Sequence, residues 1–443
     1  MKTELDNELD NSFKIYPLSP VTVHQAAEVL NVSSDTIRRW EKKGLIRAKR
    51  SRDNHRLFDI AELGRLKAKY FDNRAGVEFK VLKSTPTSHN AIELFSGCGG
   101  MALGFENAGL QTDLLVEIDD NCVNTLKGNR PGWKVVHSDI KDIDFSDYRG
   151  NVEVVAGGFP CQAFSYAGQG KGFEDTRGTL FFEFARCVKE VQPQIALAEN
   201  VRGLMRHDQG RTLSTMLRTL DELGYYADCC LLRAQFLDVP QKRERLVIVG
   251  LRKDLDMDFV FPKERDYFIS LREAFRDCPP SPGAEYPPWK KAIMDRVPPG
   301  GYWRDLPLEL QKEYMKGSFY LGGGKTGMAR RLSLDEPSLT LTCNPAQAQT
   351  ERCHPEETRP LNLREYARIQ TFPDEWQFTG SPASQYRQIG NAVPVNLAYH
   401  IGRCIIAMLE GTLDEDTMVA KARAEKRLQL SLALGGEPGA SCT

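Results

Sequence analysis

From Ala91 onward, short apolar runs alternate with amphipathic stretches, and this alternation constrains the fold more than any other feature of the sequence. The runs are AIELF (91–95), DLLVEI (113–118), KVVHSDI (134–140), VEVVAGG (152–158), QIALAEN (194–200) and RLVIVG (245–250). Helical spacing fills most of the gaps, as in Thr179–Val191 and Thr212–Leu223. The pattern predicts a doubly wound α/β domain around a mostly parallel sheet. Ligands of such sheets sit beyond the carboxyl ends of the strands, so the polar residues that end the runs are the candidate functional ones.

The rest of the chain is organised around this core. An acidic leader (1–18, expected to be disordered) precedes a compact, basic, helix-patterned unit (19–75) and a polar linker (76–90) containing Lys83-Ser84-Thr85-Pro86. The α/β pattern covers 91–255 and closes over 359–412, with helical spacing at Leu363–Gln370 and from Pro394 to Leu409. Between these parts, residues 256–358 lose periodicity and are dense in proline and glycine, which reads as an inserted, loop-rich small domain. The tail, 413–443, reads as a charged helical stretch with a disordered end.

Composition narrows the function classes. No stretch approaches the ~20 uncharged apolar residues of a membrane span, and MKTELDNELDN is neither a signal nor a transit peptide. A cytoplasmic, nucleoid-associated location is the expectation, with no membrane partner. Eleven scattered cysteines without a CxxC pair argue against a disulfide framework, and Cys343 with Cys353-His354 lacks two further ligands for zinc. The net charge is −1, so any nucleic-acid surface must be a local basic patch.

The first run leads through Phe95-Ser96-Gly97-Cys98-Gly99-Gly100 into a helix, a glycine turn that lets a ligand approach bare backbone. It lacks GxxxxGK[ST], which disfavours triphosphates. Glu117 ends the second run, where a carboxylate can accept hydrogen bonds from two ribose hydroxyls, and Asp139 ends the third, where one can meet an adenine amino group. The fourth run ends in Gly157-Gly158-Phe159-Pro160-Cys161-Gln162, with a cysteine beside a rigid proline at the ligand edge of the sheet.

These segments, with Arg177-Gly178-Thr179-Leu180, Glu199-Asn200-Val201, Gln241-Lys242-Arg243-Glu244-Arg245, Arg364-Glu365 and Gln388-Ile389-Gly390-Asn391-Ala392-Val393-Pro394, resemble the motifs of the DNA cytosine-5 methyltransferases, present in order over about 70% of the chain. The resemblance implies a Rossmann-like domain binding S-adenosylmethionine, with the insert as target-recognition domain. It implies cofactor contacts from Phe95, Ser96, Gly97, Gly99, Gly100, Glu117, Ile118, Asp139 and Ile140, and further ones from Pro160, Leu180, Asn391, Ala392 and Val393.

It also implies the chemistry. Carbon 5 of cytosine is a poor nucleophile, and a thiolate adding to carbon 6 makes it enamine-like; Cys161 has that role in the family pattern. Glu199 would protonate or hydrogen-bond N3. Arg243 and Arg245, alternating along a strand and so on one face, would orient the base and lower the thiol pKa, Arg245 as the base contact and Arg243 as its support. The target carbon is inaccessible in a duplex, so the cytosine must be flipped out. Gln162–Thr176, with Gly168, Gly170 and Gly172, suits a lid over it, with Gln162, Ser165 and Arg177 as DNA contacts. Where family members often carry a gap-filling serine, this chain has Ala167.

Within the insert, Arg330, Arg331 and Lys325 are candidates to meet phosphates or guanine edges. In the N-terminal unit, Val21–Leu30 reads as a helix, Asn31-Val32 as a turn, Ser33–Lys43 as a second helix capped by Ser33 or Ser34, then a basic loop to Arg56 and a helix from Asp59. Arg38-Arg39-Trp40-Glu41-Lys42-Lys43-Gly44-Leu45-Ile46 resembles the winged helix-turn-helix of MerR-type regulators. Eight Lys/Arg and one Glu between Arg38 and Arg52 suit phosphate contacts, with Thr36, Arg38, Arg39 and Lys42 candidates to face DNA.

The expected partners are duplex DNA, the chain's own promoter and a cognate restriction endonuclease. Two enzymatic rivals remain: exocyclic-amine methylation, whose [DNS]-P-P-[aromatic] motif is approached only by Glu285-Tyr286-Pro287-Pro288-Trp289, and RNA cytosine methylation. A rival of another class is a transcription regulator using the methyltransferase fold as a scaffold.

Overall fold

The computed structural model describes residues 20–29, 37–38, 40–41, 46–50, 55–59, 62–63, 77–160, 180–322 and 325–422. Two compact units divide at Gly76/Val77.

In the first unit, β1 (Val21–Thr22) leads into α1 (Val23–Val29), and a hairpin of β2 (Ala48–Arg50) and β3 (Arg56–Phe58) forms the wing. The helix expected from Val21 starts two residues later, because Val21 and Thr22 pair with Phe58 and Leu57. Val21, Ala26, Ile37, Ile46, Phe58 and Leu63 bury the small core. Asp59 accepts the Glu62 N–H at 3.1 Å, as a residue opening a helix does. The Ser33/Ser34 cap lies outside the described residues.

The second unit is built on seven strands: β4 (Asn90–Leu94), β5 (Gln111–Glu117), β6 (Val135–His137), β7 (Val154–Gly157), β8 (Ile195–Val201), β9 (Tyr225–Arg233) and β11 (Glu244–Arg252). Their order is β6-β5-β4-β7-β8-β11-β9; β11 alone is reversed, pairing antiparallel with both β8 and β9. The six runs are all strands. The seventh, β9, has a mixed pattern of half-buried residues at the sheet edge and gives no periodic signal. Strand β6 ends at His137, not Asp139, whose carboxylate instead caps a short 3₁₀ turn by accepting the Lys141 N–H at 3.1 Å.

Helices α2 (Gly100–Ala108), α3 (Asp120–Asn129), α4 (Leu180–Val191) and α5 (Arg211–Glu222) follow β4, β5, β7 and β8. On one sheet face, Phe181, Phe184, Met216 and Leu220 pack on Ile92, Val155 and Ile248. On the other, Met101 and Phe105 share a core with Leu397, Ile401 and Ile405 from the closing part of the domain.

The chain then runs through β10 (Gln241–Lys242), β12 (Phe259–Pro262), α6 (Leu271–Phe275), α7 (Pro288–Met294), α8 (Leu308–Met315), β13 (Ser338–Leu339), α9 (Leu363–Ile369), α10 (Pro382–Asn391), α11 (Val395–Glu410) and β14 (Met418–Lys421). The insert has its own core, in which Ile293, Met294, Trp303, Met315, Ala329 and Cys353 meet. Strand β12, numbered with the insert in the sequence reading, packs its Phe259, Val260 and Phe261 into the catalytic core instead. The tail also departs from expectation: Met418–Lys421 is a strand, not helix, because it pairs antiparallel with β12 and buries Met418.

Candidate active site

The strand order reverses between β4 and β7, and a cavity of about 820 Å³ opens there at the carboxyl ends of the strands. Every cofactor candidate lines it except Gly99. Phe95 and Gly97 adopt left-handed backbone (φ 59° and 53°), turning the chain from strand into helix, and a side chain at Gly97 would point into open space. Gly100 is required by close approach: a Cβ there would stand 2.2 Å from the Val393 carbonyl oxygen. Gly99 faces the other way. Its missing Cβ would meet Leu126 at 2.7 Å and Trp376 at 3.1 Å, so packing, not the cavity, demands glycine.

Glu117 ties the turn to β5. It accepts the Gly97 N–H at 2.6 Å with one oxygen and those of Ile118 and Asp119 at 2.9 and 2.8 Å with the other. Ile118, 62% exposed, offers a flat apolar patch at the cavity edge. Sequence reading missed Glu93, which is buried on the cavity wall with an Oε2 lacking any hydrogen-bond partner among the described residues. Burial, then the charge of Glu117, holds its carboxyl well above the ordinary value. The signal was present: a lone acid inside the apolar run AIELF. Leu341, Thr342, Cys343, Gln347 and Arg387 also line the cavity, brought by segments with no strand periodicity.

At the opposite side of the cavity stands an ion pair. Glu199, on β8, lies 2.7 Å from Arg245 on β11, and both are nearly buried. Burial lowers the Arg245 guanidinium's pKa against the raising effect of Glu199, so the pair is mutually dependent. Neighbouring Asn200 donates to the Phe159 carbonyl at 3.1 Å, and the Phe159 ring packs edge-on against Phe95 and Phe181, which fixes the strand end just before Pro160.

Arg243 also borders the cavity, but not through strand alternation, since it sits at the break between β10 and β11. Its guanidinium is spent on backbone, donating to the carbonyls of Gly390 at 3.2 Å and Ala392 at 3.1 Å. Burial, then the like charge of Arg245, pushes it well below the usual arginine value. Gln370 donates to the Ile389 and Ala392 carbonyls beside it, so the Gly390–Ala392 turn is held from two directions.

Cys161, Gln162, Ser165, Arg177, Thr36, Arg39 and Lys42 lie outside the described residues. Pro160 and Leu180, the nearest described residues on either side of Cys161, both line the cavity. Arg38 is exposed on the N-terminal unit.

Two insert candidates take other roles. Arg331 is buried and donates to the Met294 carbonyl and the Thr358 hydroxyl at 2.7 Å and to the His354 carbonyl at 3.3 Å, so its expected DNA contact is ruled out by its own packing. Lys325 donates to the Ser318 and Leu321 carbonyls, which turns it back onto its loop. Arg330 is half-buried with its guanidinium over the Tyr302 ring, 5.7 Å from the centroid. No cluster of three or more metal-ligating side chains occurs among the described residues.

Comparison with known proteins fits this geometry. A model of C-5 cytosine-specific DNA methylases matches residues 89–407, and one of MerR helix-turn-helix regulatory proteins matches residues 21–81. The chain is 53% identical over 402 residues to the type II methyltransferase M.Eco47II of Escherichia coli, covering 88% of this chain and 96% of that one. It is 56% identical over 332 residues to M.PspPI of a Psychrobacter species, covering 73% and 80%. Among solved structures, a prophage-encoded E. coli protein described as a DNA modification methyltransferase superposes with a TM-score of 0.54 at 25% identity, over 73% of this chain and all of that one. With the turns that end β4, β5, β7 and β8 gathered on one cavity and the family model matching residues 89–407, the chain belongs to the C-5 cytosine-specific DNA methylases and carries a MerR-type helix-turn-helix unit ahead of its catalytic domain.

Proposed function

We propose that this enzyme is the modification half of a type II restriction-modification system, methylating carbon 5 of a flipped-out cytosine in a specific duplex site through a covalent Cys161 intermediate. The observation that carries the reading is the buried Glu199–Arg245 pair at 2.7 Å, facing the cavity that Pro160, immediately before Cys161, also lines.

S-adenosylmethionine, the methyl donor of the family, supplies a sulfonium-activated methyl group. The residues present fit it. Glu93 offers an unpartnered buried carboxyl to a polar group of the ligand, Ile118 an apolar face to an adenine ring, and Glu117 and Asp139 carboxylates to ribose hydroxyls and the adenine amine.

On the base, the Cys161 thiolate adds to carbon 6 while Glu199 supplies a proton or strong hydrogen bond at N3. Arg245 orients the pyrimidine and Arg243 steadies the turn beside it. With the donor bound, C5 would take its methyl group as the donor's sulfur–methyl bond breaks and leaves a neutral thioether. The C5 proton would then leave to water, and the Cys161 sulfur–C6 bond would break to return the thiolate. Gln162, Ser165 and Arg177 contact DNA around the extruded base. The site's solvent-shielded corner and its pair of opposite charges are what such a proton transfer needs.

The N-terminal unit binds duplex DNA through Thr36, Arg38, Arg39 and Lys42, and its own promoter is the proposed target. A cognate endonuclease cutting the same site is the expected companion, and both act in the bacterial cytoplasm on the nucleoid.

Bisulfite sequencing of DNA from cells expressing the chain tests the activity: methylated cytosines should fall at one recurring sequence, and their absence would refute it. DNA containing 5-fluorocytosine should trap a covalent adduct at Cys161, because fluorine cannot leave as a cation; an adduct at any other cysteine overturns the nucleophile assignment.

A further inference from the structure

We propose that the segment Arg202–Arg211 is a phosphate-binding rim of the active site, with Arg206 gripping the DNA backbone beside the base being methylated. The inference rests on the methyltransferase reading above and adds residues to it.

Placement comes first. The segment continues β8 directly from Glu199 and Asn200, and Val201 itself lines the cavity. A base rotated out of a duplex stays tied to its own phosphates, so those phosphates must lie at the cavity mouth. The rim formed by the end of β8 is therefore a place where backbone charge arrives.

The segment is also held in a costly shape. Asp208 (φ 49°), Gln209 (φ 58°) and Gly210 (φ 87°) are left-handed in succession, a conformation that two non-glycine residues adopt only under constraint. The surroundings enforce it: the His207 ring stands 2.6 Å from the Thr212 hydroxyl, and Arg211 pairs with Asp208. Core packing does not ask for the kink, because Leu204 is the one buried residue between Arg202 and Gly210. Strain maintained in an exposed segment that continues the strand carrying Glu199 points to a surface task.

The chemistry of the rim suits a phosphodiester. Arg202 is neutralised by Glu244 at 2.6 Å and Arg211 by Asp208, whereas Arg206 is exposed and has no acidic partner among the described residues. Beside it, Met205 and Val201 are 41% and 39% exposed, an apolar shoulder that a sugar can cover. A guanidinium fork engages two phosphate oxygens at once.

Steady-state methylation by the full chain, with plasmid DNA from a strain lacking cytosine methylation, tests this. Arg206→Ala should raise KM for DNA roughly five- to tenfold with kcat within about twofold, and reduce the log–log salt dependence of KM by about one. Arg206→Lys, which keeps the charge but not the fork, should restore the salt dependence and recover only part of the loss in KM. Arg149→Ala, in the turn before the central strand β7 and so at the amino end of the sheet, away from the cavity, should match wild type. A thermal melt coincident with wild type secures the fold of Arg206→Ala. Wild-type KM and salt dependence in Arg206→Ala, or a loss confined to kcat, would overturn the rim. A wild-type chain unable to methylate this DNA would instead remove the activity on which the rim depends.

Discussion

Two regions of the catalytic unit each carry a pair of arginines, and the pairs have different fates. At the sheet edge, Arg243 and Arg245 both border the cavity, one riveted to the Gly390 and Ala392 carbonyls and one engaged by Glu199. In the insert, Arg331 is consumed by three oxygens of its own core and Arg330 lies over Tyr302. All four are cations in a DNA-modifying enzyme, but only Arg245 has a carboxylate on the cavity as its partner. What sorts them is the acceptor each one meets. A guanidinium surrounded by fixed carbonyls is a structural cross-link, and one facing a carboxylate at a ligand edge is available for chemistry.

The largest effect should follow from breaking the cavity pair. Glu199→Gln keeps the shape but removes the acid–base group opposite Arg245, and methylation kcat should fall by about 10²- to 10⁴-fold. Cofactor binding, read by calorimetry, should stay within a few-fold of wild type. A Glu199→Gln enzyme with near-normal kcat would reduce the pair to a structural feature like those of the insert.

Arg331 should behave in the opposite way. Arg331→Ala leaves the His354 carbonyl without its donor and takes one of two donors from the Met294 carbonyl, which keeps the Val297 N–H at 3.1 Å. An unsatisfied buried acceptor costs about 1–3 kcal/mol, and urea unfolding should register a loss of that size. If stability is untouched while DNA affinity drops, the contrast between the two regions is wrong.

These contrasts also show what was legible in the sequence. The strands announced themselves because a buried parallel sheet needs continuous apolar runs, and the run ends at Glu117 and Glu199 had to face the ligand edge. Glu93 was hidden within a run, where its charge looked like an interruption of the pattern. The direction of Arg331 was unreadable, since the oxygens that claim it come from residues 294, 354 and 358, distant in sequence and in segments without periodicity. The same reason concealed Thr342 and Cys343 at the cavity and the β12–β14 pairing, which no local propensity specifies.

A third test asks whether a buried acid can sit on the cavity for a ligand's sake. Glu93 holds its proton more tightly in the folded chain than in the unfolded one. Above the ordinary value of 4.5 the unfolded chain therefore releases a proton that the folded chain keeps, and stability falls as pH rises until the folded carboxyl itself ionises. Glu93→Gln removes this slope, so the variant should gain on wild type in urea unfolding as pH increases from 4.5. It should also lose about tenfold in S-adenosylmethionine affinity, the worth of one hydrogen bond to a charged group. Equal cofactor affinity would leave Glu93 a structural acid.

The smallest effect is expected at Arg330, the one insert arginine whose role the geometry divides. Its stacking on Tyr302 is worth about 0.5–1 kcal/mol, so Arg330→Ala should shift the unfolding midpoint only slightly, far less than Arg331→Ala. Its second role is decided by salt. A cation that also reaches a phosphate contributes about one unit to the log–log salt dependence of DNA binding, whereas a purely stacked one contributes none. Its guanidinium is half-buried and spends one face on a ring, so the slope should be unchanged. A loss of one unit would move Arg330 from the insert's structural set to the DNA-facing set, and Arg331, Arg352 and Lys290, all buried, would then stand for the rule that buried insert cations serve the fold.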